Sequence, residues 1–218
     1  MSGLLIVGAG GHGKVVADTA YESGRWGKIA FLDDRYPELN SSLFWPVLGK
    51  IEQASLFLLD YLDLAVAIGN NLLRVELVHG FTKMGFSIPT IVHPTAFVSR
   101  SVMIGAGSVV FAQVAVNAGT QIGIGSIVNT GATIDHDCLV GEGVHISPGA
   151  HLAGNVKVGN YSWIGIGSSV IHQISIGENV VVGAGAVITE NIPNDVTVVG
   201  VPGKIIKNHK ISVCKLKP

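Results

Sequence analysis

Residues 116 to 140 read Val116-Asn117-Ala118-Gly119-Thr120-Gln121-Ile122-Gly123-Ile124-Gly125-Ser126-Ile127-Val128-Asn129-Thr130-Gly131-Ala132-Thr133-Ile134-Asp135-His136-Asp137-Cys138-Leu139-Val140. Every sixth residue here, Val116, Ile122, Val128, Ile134 and Val140, is aliphatic. The step continues outward unbroken, back through Val110, Ile104 and Val98 to Val92, and on through Ile146, Leu152, Val158, Ile164, Val170, Ile176 and Val182 to Ile188. Six is even, so an extended chain puts all of these side chains on one face. An α-helix rotates ~600° over six residues and would scatter them around its axis. The pattern predicts a repeating β-coil and excludes a helix.

A longer period lies over the first. Gly105, Gly123, Gly141, Gly159 and Gly177 recur at every third unit of the repeat, each directly after a repeat aliphatic. Three six-residue units therefore make one turn of a triangular coil. The glycine falls at a corner, where a positive φ is expected. Two residues before many repeat aliphatics stands a small residue, such as Ser108, Ser126, Ala132, Ala150 or Ser168, as a narrow interior requires. About five and a half coils, stacked ~4.8 Å apart, make a column ~25 Å tall. The period fails at Asn194. Residues 196–201 can add a last strand, and residues 204–218 form a short basic tail.

Residues 1–87 follow a different rhythm. Strand-like segments at 4–7, 28–32 and 64–68 alternate with helix-like segments at 14–23 and 72–84. That alternation predicts a small Rossmann-like βαβ domain with a parallel sheet. The division expected is 1–87 for this α/β domain, 88–203 for the β-coil and 204–218 for the tail.

Composition narrows the partners. Hydrophobic residues make up 48% and charged residues 13%, and mean hydropathy is +0.49. No apolar run reaches the ~18 to 20 residues of a membrane span, so the apolar content is read as core. The N-terminus reads as a first strand rather than a signal peptide. Net charge is −1, with no basic face for nucleic acid. Cys138 and Cys214 are far apart and fit no metal or disulfide framework, which suits a cytoplasmic protein. The eight histidines show no HxH or HExxH spacing, so no metal is expected.

The six-residue repeat resembles that of the hexapeptide-repeat acyltransferases, and the resemblance supplies a left-handed hand for the parallel β-helix. Gly200-Val201-Pro202-Gly203-Lys204 is similar to that superfamily's terminal motif, usually G-x-P-A-K. Over nearly the whole chain the order of motifs resembles the sugar-nucleotide acetyltransferases. These motifs are Gly8-Ala9-Gly10-Gly11-His12-Gly13, Phe31-Leu32-Asp33-Asp34, Ala67-Ile68-Gly69-Asn70-Asn71, and Asn129-Thr130 leading to Ile134-Asp135-His136-Asp137-Cys138. That group includes the UDP-4-amino-sugar N-acetyltransferases of bacillosamine biosynthesis and the sialic acid O-acetyltransferases.

Gly8-x-Gly10-x-x-Gly13 follows a strand and opens a helix, as phosphate-binding turns do. Asp33 follows at the distance where a dinucleotide fold keeps its ribose-binding acid. Alone this would suggest NAD, but the domain is half a dinucleotide fold. The resemblance implies a UDP-amino-sugar there, touching Gly10, Gly11 and His12, with Asp33 and Asp34 toward sugar or uracil and Gly69 lining the pocket. His136 lies two residues past Ile134, outside the core stripe, and suits a general base. Asp137 would hold its tautomer and raise its basicity, which requires a bend, because neighbouring strand residues face opposite ways. The resemblance also implies that His145, half a coil on, contacts acetyl-CoA near the thioester. Gly154, Ile166 and Ala184, read as three places down one flank, would bind its pantetheine arm, and Lys204 its phosphates. Cys138 is read as packing.

With these residues, the resemblance implies acetyl-CoA-dependent N-acetylation of a UDP-linked 4-amino-4,6-dideoxy sugar by direct attack, in bacterial glycan precursor synthesis. O-acetylation of a sialic acid, N-acetylation of a GDP-linked 4-amino sugar, and a non-catalytic sugar-nucleotide scaffold stay open. Phe97, Phe111, Ile127, Leu139, Trp163 and Val181 flank repeat aliphatics and are read as outward-facing. Such a surface wants a partner, and the resemblance implies a homotrimer with active sites between subunits.

Overall fold

A computed structural model describes residues 3–209. Its N-terminal part is a five-stranded sheet with helices. Strand β1 (Gly3–Val7) lies between β2 (Lys28–Leu32) and β5 (Asp63–Val66), parallel to both. Leu4, Leu5, Ile6 and Val7 are fully buried, because both faces of a parallel sheet are covered. Helix α1 (Gly11–Glu22) follows the glycine turn. Helix α2 (Asn71–Met84) starts at Asn70, whose side chain accepts the Leu73 N–H, and stops at Gly85 with φ 105°. Strands β3 (Ser41–Ser42) and β4 (Trp45–Gly49) and a 3₁₀ segment (Ile51–Phe57) join β2 to β5. No periodicity marks these three short pieces in the sequence.

From Ile91 onward the chain winds as a left-handed parallel β-helix of two-residue strands on three faces. The first face stacks Ile91–Val92 and its equivalents at 109, 127, 145, 163 and 181. The second carries Phe97–Val98 to Val187–Ile188, and the third Met103–Ile104 to Ser175–Ile176. Paired strands are parallel and stand one full coil apart in the chain, as Ile127 with His145 and Thr133 with His151. The repeat aliphatics fill the interior, joined by buried Ala132, Cys138, Ala150 and Ala186. The interior hydroxyls tie coil to coil: Ser108, Thr120, Ser126 and Ser162 donate to carbonyls of the next coil at 2.8–2.9 Å.

The corner glycines correct one expectation. Gly105, Gly123, Gly141, Gly159 and Gly177 do not have positive φ. Positive φ falls instead at positions such as Gly107, Gly125, Gly131, Gly143 and Asp137. What a side chain would meet at Gly123 is the backbone of the next coil, 2.6 Å from Gly141 C and Glu142 N. Close approach, not handedness of the turn, excludes a Cβ there.

The two parts share a core. Ile91, Val109, Phe111 and Ile127 pack with α1, Trp26 and the sheet. Phe111 and Ile127 are each 1% exposed, so their partner is the chain's own N-terminal domain, contrary to their reading as free surface. Arg74 of α2 is also 1% exposed. Its guanidinium donates to the carbonyls of Gly125 (2.6 Å), Gly143 (2.8 Å) and Ile68 (2.9 Å) and to Asn71 Oδ1 (2.9 Å). It thereby binds α2 to two successive corners of the β-helix. At the far end Val196–Val199 extends the first face, and Lys204–Asn208, expected to be tail, pairs antiparallel with it. Among the described residues no helix is long and apolar enough to cross a membrane. Cys138 is free and buried; Cys214 lies outside the described residues.

Candidate active site

His136 and Asp137 occupy the turn between the second and third faces. Asp137 has φ 58°, and this left-handed residue is the bend that lets adjacent side chains meet: His136 Nδ1 lies 2.8 Å from Asp137 Oδ2. The turn is held on every side. Asp137 N–H donates to Ala118 O and Asn155 N–H to His136 O, both at 2.9 Å. Thr120 Oγ1 donates to Asp135 O at 2.8 Å and accepts from Cys138 N–H at 3.2 Å. Asp135 Oδ1 accepts the His136 N–H at 2.8 Å and Asn117 Nδ2 at 2.9 Å.

Two glycines bracket the pair. A Cβ at Gly154, one coil on, would fall 2.5 Å from His136 Nε2, and one at Gly119, one coil back, would collide with the Asp137 carboxylate. The imidazole therefore lies over Gly154 with Nε2 nearest that glycine, and the side chain is exposed. Its pKa is raised above the ordinary imidazole value, first by the hydrogen bond to Asp137, then by the charges of Asp135 and Asp137. A neutral His136 with its proton on Nδ1, facing Asp137, leaves a basic lone pair on Nε2.

His145 is on the first face, against the N-terminal domain, and is 9% exposed. Its ring stacks on Trp163 with centroids 4.6 Å apart, and Trp163 Nε1 donates to Ser147 Oγ at 2.8 Å. Burial, then the Arg74 charge, then that of His12, push its pKa down to about 3. His12, at the start of α1, packs edge-on to Phe111 with centroids 5.6 Å apart, and burial followed by Arg74 pushes it down to about 4. Both rings are neutral at physiological pH. Each has a buried nitrogen with no protein partner among the described residues, Nε2 of His12 and Nδ1 of His145. The structure thus brings His12, Arg74 and His145 together and leaves His136 on another corner of the same chain.

The other expected site residues divide. Gly10 and Gly11 have nothing within 4 Å of a built Cβ, whereas Gly8 and Gly13 are crowded by neighbouring backbone. The first pair opens outward and the second holds the turn. The Asp33 carboxylate is engaged inside the chain: it accepts Ala9 N–H at 2.8 Å and pairs with Arg35 at 2.8 and 2.9 Å. The Arg35 hydrogen bonds keep it well below the usual carboxylate range. Asp34 is exposed and accepts Ile51 N–H at 3.2 Å. Gly69 lines a cleft of about 360 Å³ with Asn70, Tyr161 and Trp163. Ile166 and Ala184 stack one above the other on the corner between the first and second faces, both exposed. Gly154 does not share that flank, because it sits under His136. Lys204 is exposed on the last strand. Among the described residues no group of His, Cys, Asp and Glu is placed to hold a metal. Sequence reasoning missed the part played by Arg74 and Trp163, which carry no motif, and gave no role to Asn129 and Asp135.

Comparison with known proteins matches both parts. Residues 3–81 fit the family model of the PglD N-terminal domain, and residues 155–190 that of the bacterial transferase hexapeptide, six repeats. The acetyltransferase domain of PglB from Neisseria gonorrhoeae is 46% identical, with a TM-score of 0.91 over 94% of this chain and 100% of that one. The same domain has been solved in complex with acetyl coenzyme A, at a TM-score of 0.88. A variant of perosamine N-acetyltransferase from Caulobacter crescentus, in complex with CoA and GDP-perosamine, is 38% identical, with a TM-score of 0.90 over 95% of this chain and 98% of that one. UDP-N-acetylbacillosamine N-acetyltransferase of Bacillus subtilis is 38% identical over 117 residues, 51% of this chain and 52% of that protein. The match thus spans about half the length of this curated relative.

Proposed function

This chain belongs to the hexapeptide-repeat sugar N-acetyltransferase family, and from that premise we propose that it moves acetyl from acetyl-CoA to the amino group of a nucleotide-linked amino sugar. The observation that carries the chemistry is the exposed His136–Asp137 pair at 2.8 Å, held in a fixed turn. The sugar nitrogen attacks the thioester carbonyl, and His136 Nε2 takes the proton it loses. The carbon–sulfur bond breaks, and the same proton passes to the departing CoA sulfur, so no acyl-enzyme is needed. The Asp137 carboxylate stabilises the imidazolium formed between the two transfers.

The nucleotide sugar is assigned to the open glycines Gly10 and Gly11 and the Gly69 cleft, with His12 and Asp34 near them. Asp33, held by Arg35, shapes the turn. Ile166 and Ala184 fit the CoA arm and Lys204 its phosphates. The substrate we infer is a UDP-linked 4-amino-4,6-dideoxy sugar. The Caulobacter crescentus relative, solved with GDP-perosamine, supports a GDP-linked 4-amino sugar as the second reading. His136 stands on a corner and His145 on a distant face of one chain, so a centre containing both needs two chains, and a homotrimer is the assembly proposed. The free Cys138 suits a cytoplasmic setting.

The test is thiol release from acetyl-CoA with a panel of UDP- and GDP-linked amino sugars. One UDP-linked 4-amino sugar should far exceed its GDP counterpart, and His136→Ala should lose at least ~100-fold in kcat. Equal turnover by the variant would remove His136 as the base. A preference for the GDP sugar would select the second reading.

A further inference from the structure

The far end of α1 borders a cleft that the proposed reaction does not use. Asp18, Tyr21 and Glu22 fall on one side of the helix, at spacings that bring side chains together. Beside them is the two-residue turn Leu43–Phe44 that joins β3 to β4. With Phe44 and Trp45 they line a cavity of about 250 Å³. The Tyr21 and Trp45 rings are 6.3 Å apart at 59°, and those of Phe44 and Trp45 6.1 Å apart at 77°. The three rings thus stand as walls at steep angles to one another. Phe44 is 91% exposed and Tyr21 63%. Leu43 keeps φ 52° at the turn, a backbone that glycine adopts without strain. The tip therefore retains large apolar side chains where glycine would fold more easily. An adjoining groove of about 410 Å³ shares Tyr21, Phe44 and Trp45 and adds Trp26, Pro46 and Tyr61. Two of the chain's three tryptophans and two of its four tyrosines line this one surface, and such amphipathic aromatics concentrate at binding surfaces.

Charge selects what fits there. Neither Asp18 nor Glu22 has a hydrogen bond or ion pair among the described residues. The last turn of α1 has no basic side chain against its negative end. Two cations of this face are engaged elsewhere. Arg25 lies over the Trp26 ring at 4.4 Å and donates to Thr90 O at 3.0 Å, and Lys28 lies over the Tyr61 ring at 4.2 Å. Those two rings already carry a cation, whereas among the described residues Tyr21, Phe44 and Trp45, beside two carboxylates, carry none. We propose that this groove docks a segment of a partner protein, with an arginine or lysine side chain among the three rings and two carboxylates and its apolar neighbours along Trp26, Pro46 and Tyr61. A guanidinium suits the first cavity because it can stack on an aromatic face and pair with a carboxylate at once. The extent of the surface favours a polypeptide over a free amine: a small cation would fill the acidic cavity and leave the adjoining groove uncovered. Gly11 and Tyr21 are ~15 Å apart along the helix, so the partner would dock without covering Gly10 and Gly11.

The test is isothermal titration calorimetry of the full chain with a panel of capped pentapeptides of proline and leucine, each bearing one arginine or lysine. At least one should bind saturably. Its counterpart with citrulline or norleucine at the basic position should bind at least ~10-fold more weakly. Asp18→Asn combined with Glu22→Gln, and separately Phe44→Ala, should weaken the charged peptide by ~10-fold or more. These side chains are exposed, so the variants should keep the wild-type melting temperature and the wild-type rate of thiol release. Equal binding by the neutral peptide, or by both variants, would overturn the proposal, as would no binding by any member of the panel. Tetramethylammonium or argininamide binding as tightly as the best peptide would make the ligand a small cation and overturn the protein partner. Self-association of the chain that Phe44→Ala abolishes would make a second copy the occupant, which overturns it equally.

Discussion

At the scale of single residues, the candidate site depends on where one proton sits. His136 is exposed, and its neighbours Asp137 and Asp135 raise its pKa. A base works only unprotonated, so the acid limb of kcat/KM should fall above the ordinary imidazole value of about 6.5. Asp137→Asn removes the largest cause of that rise. Its acid limb should move to lower pH, and the plateau rate should drop by ~10- to 100-fold, as expected for a weaker base with an unheld tautomer. A pH–rate profile of the two proteins checks both; an acid limb that stays in place would mean that another group governs it. The sequence revealed His136 because it breaks out of the aliphatic stripe beside an acid. It revealed the need for a bend but not the means, the left-handed φ of Asp137. His145 was legible only through family resemblance. Its burial under Trp163 depends on a neighbour in the next coil, which no local pattern encodes.

At the scale of elements, the six-residue period made the β-helix legible, since each unit repeats one strand and one corner. The docking of the α/β domain onto it was not, because α2 presents Arg74 among apolar neighbours with no periodic cue. Arg74 is charged and buried, and its hydrogen-bond partners are neutral oxygens, two of them on β-helix corners. Arg74→Met would keep most of the volume and leave those carbonyls buried without donors. Such losses cost about 3 kcal/mol or more, equivalent to a Tm about 6 to 12 °C lower for a chain of this size. A thermal melt followed by far-ultraviolet circular dichroism measures it, and a shift under about 2 °C, less than 1 kcal/mol at this size, would show that Arg74 does not hold the domains together. The variant should also raise the pKa of His145 and His12, because the Arg74 charge contributes to lowering both.

At the scale of the whole molecule, the arrangement of the two candidate histidines makes a prediction about assembly. Within one chain His136 is on the corner between the second and third faces, and His145 is on the first face beneath the N-terminal domain. If each centre joins His136 of one subunit to His145 of the next, then each subunit contributes half to two centres. His136→Ala and His145→Ala homotrimers would then both be inactive. Co-expressed in equal amounts, they form mixed trimers at random. A centre is intact when one neighbour supplies His136 and the other supplies His145, which holds for about a quarter of centres in a random cyclic assembly. Thiol release per subunit in the unfractionated mixture should therefore recover to about a quarter of the wild-type rate. Centres built within one chain predict no recovery at all, since no subunit then holds both histidines. The distinction needs no knowledge of the sugar beyond one that the wild type accepts, and it rests on the spacing that first defined the fold. His145 follows His136 by half a coil, so the two histidines cannot share a face of one column.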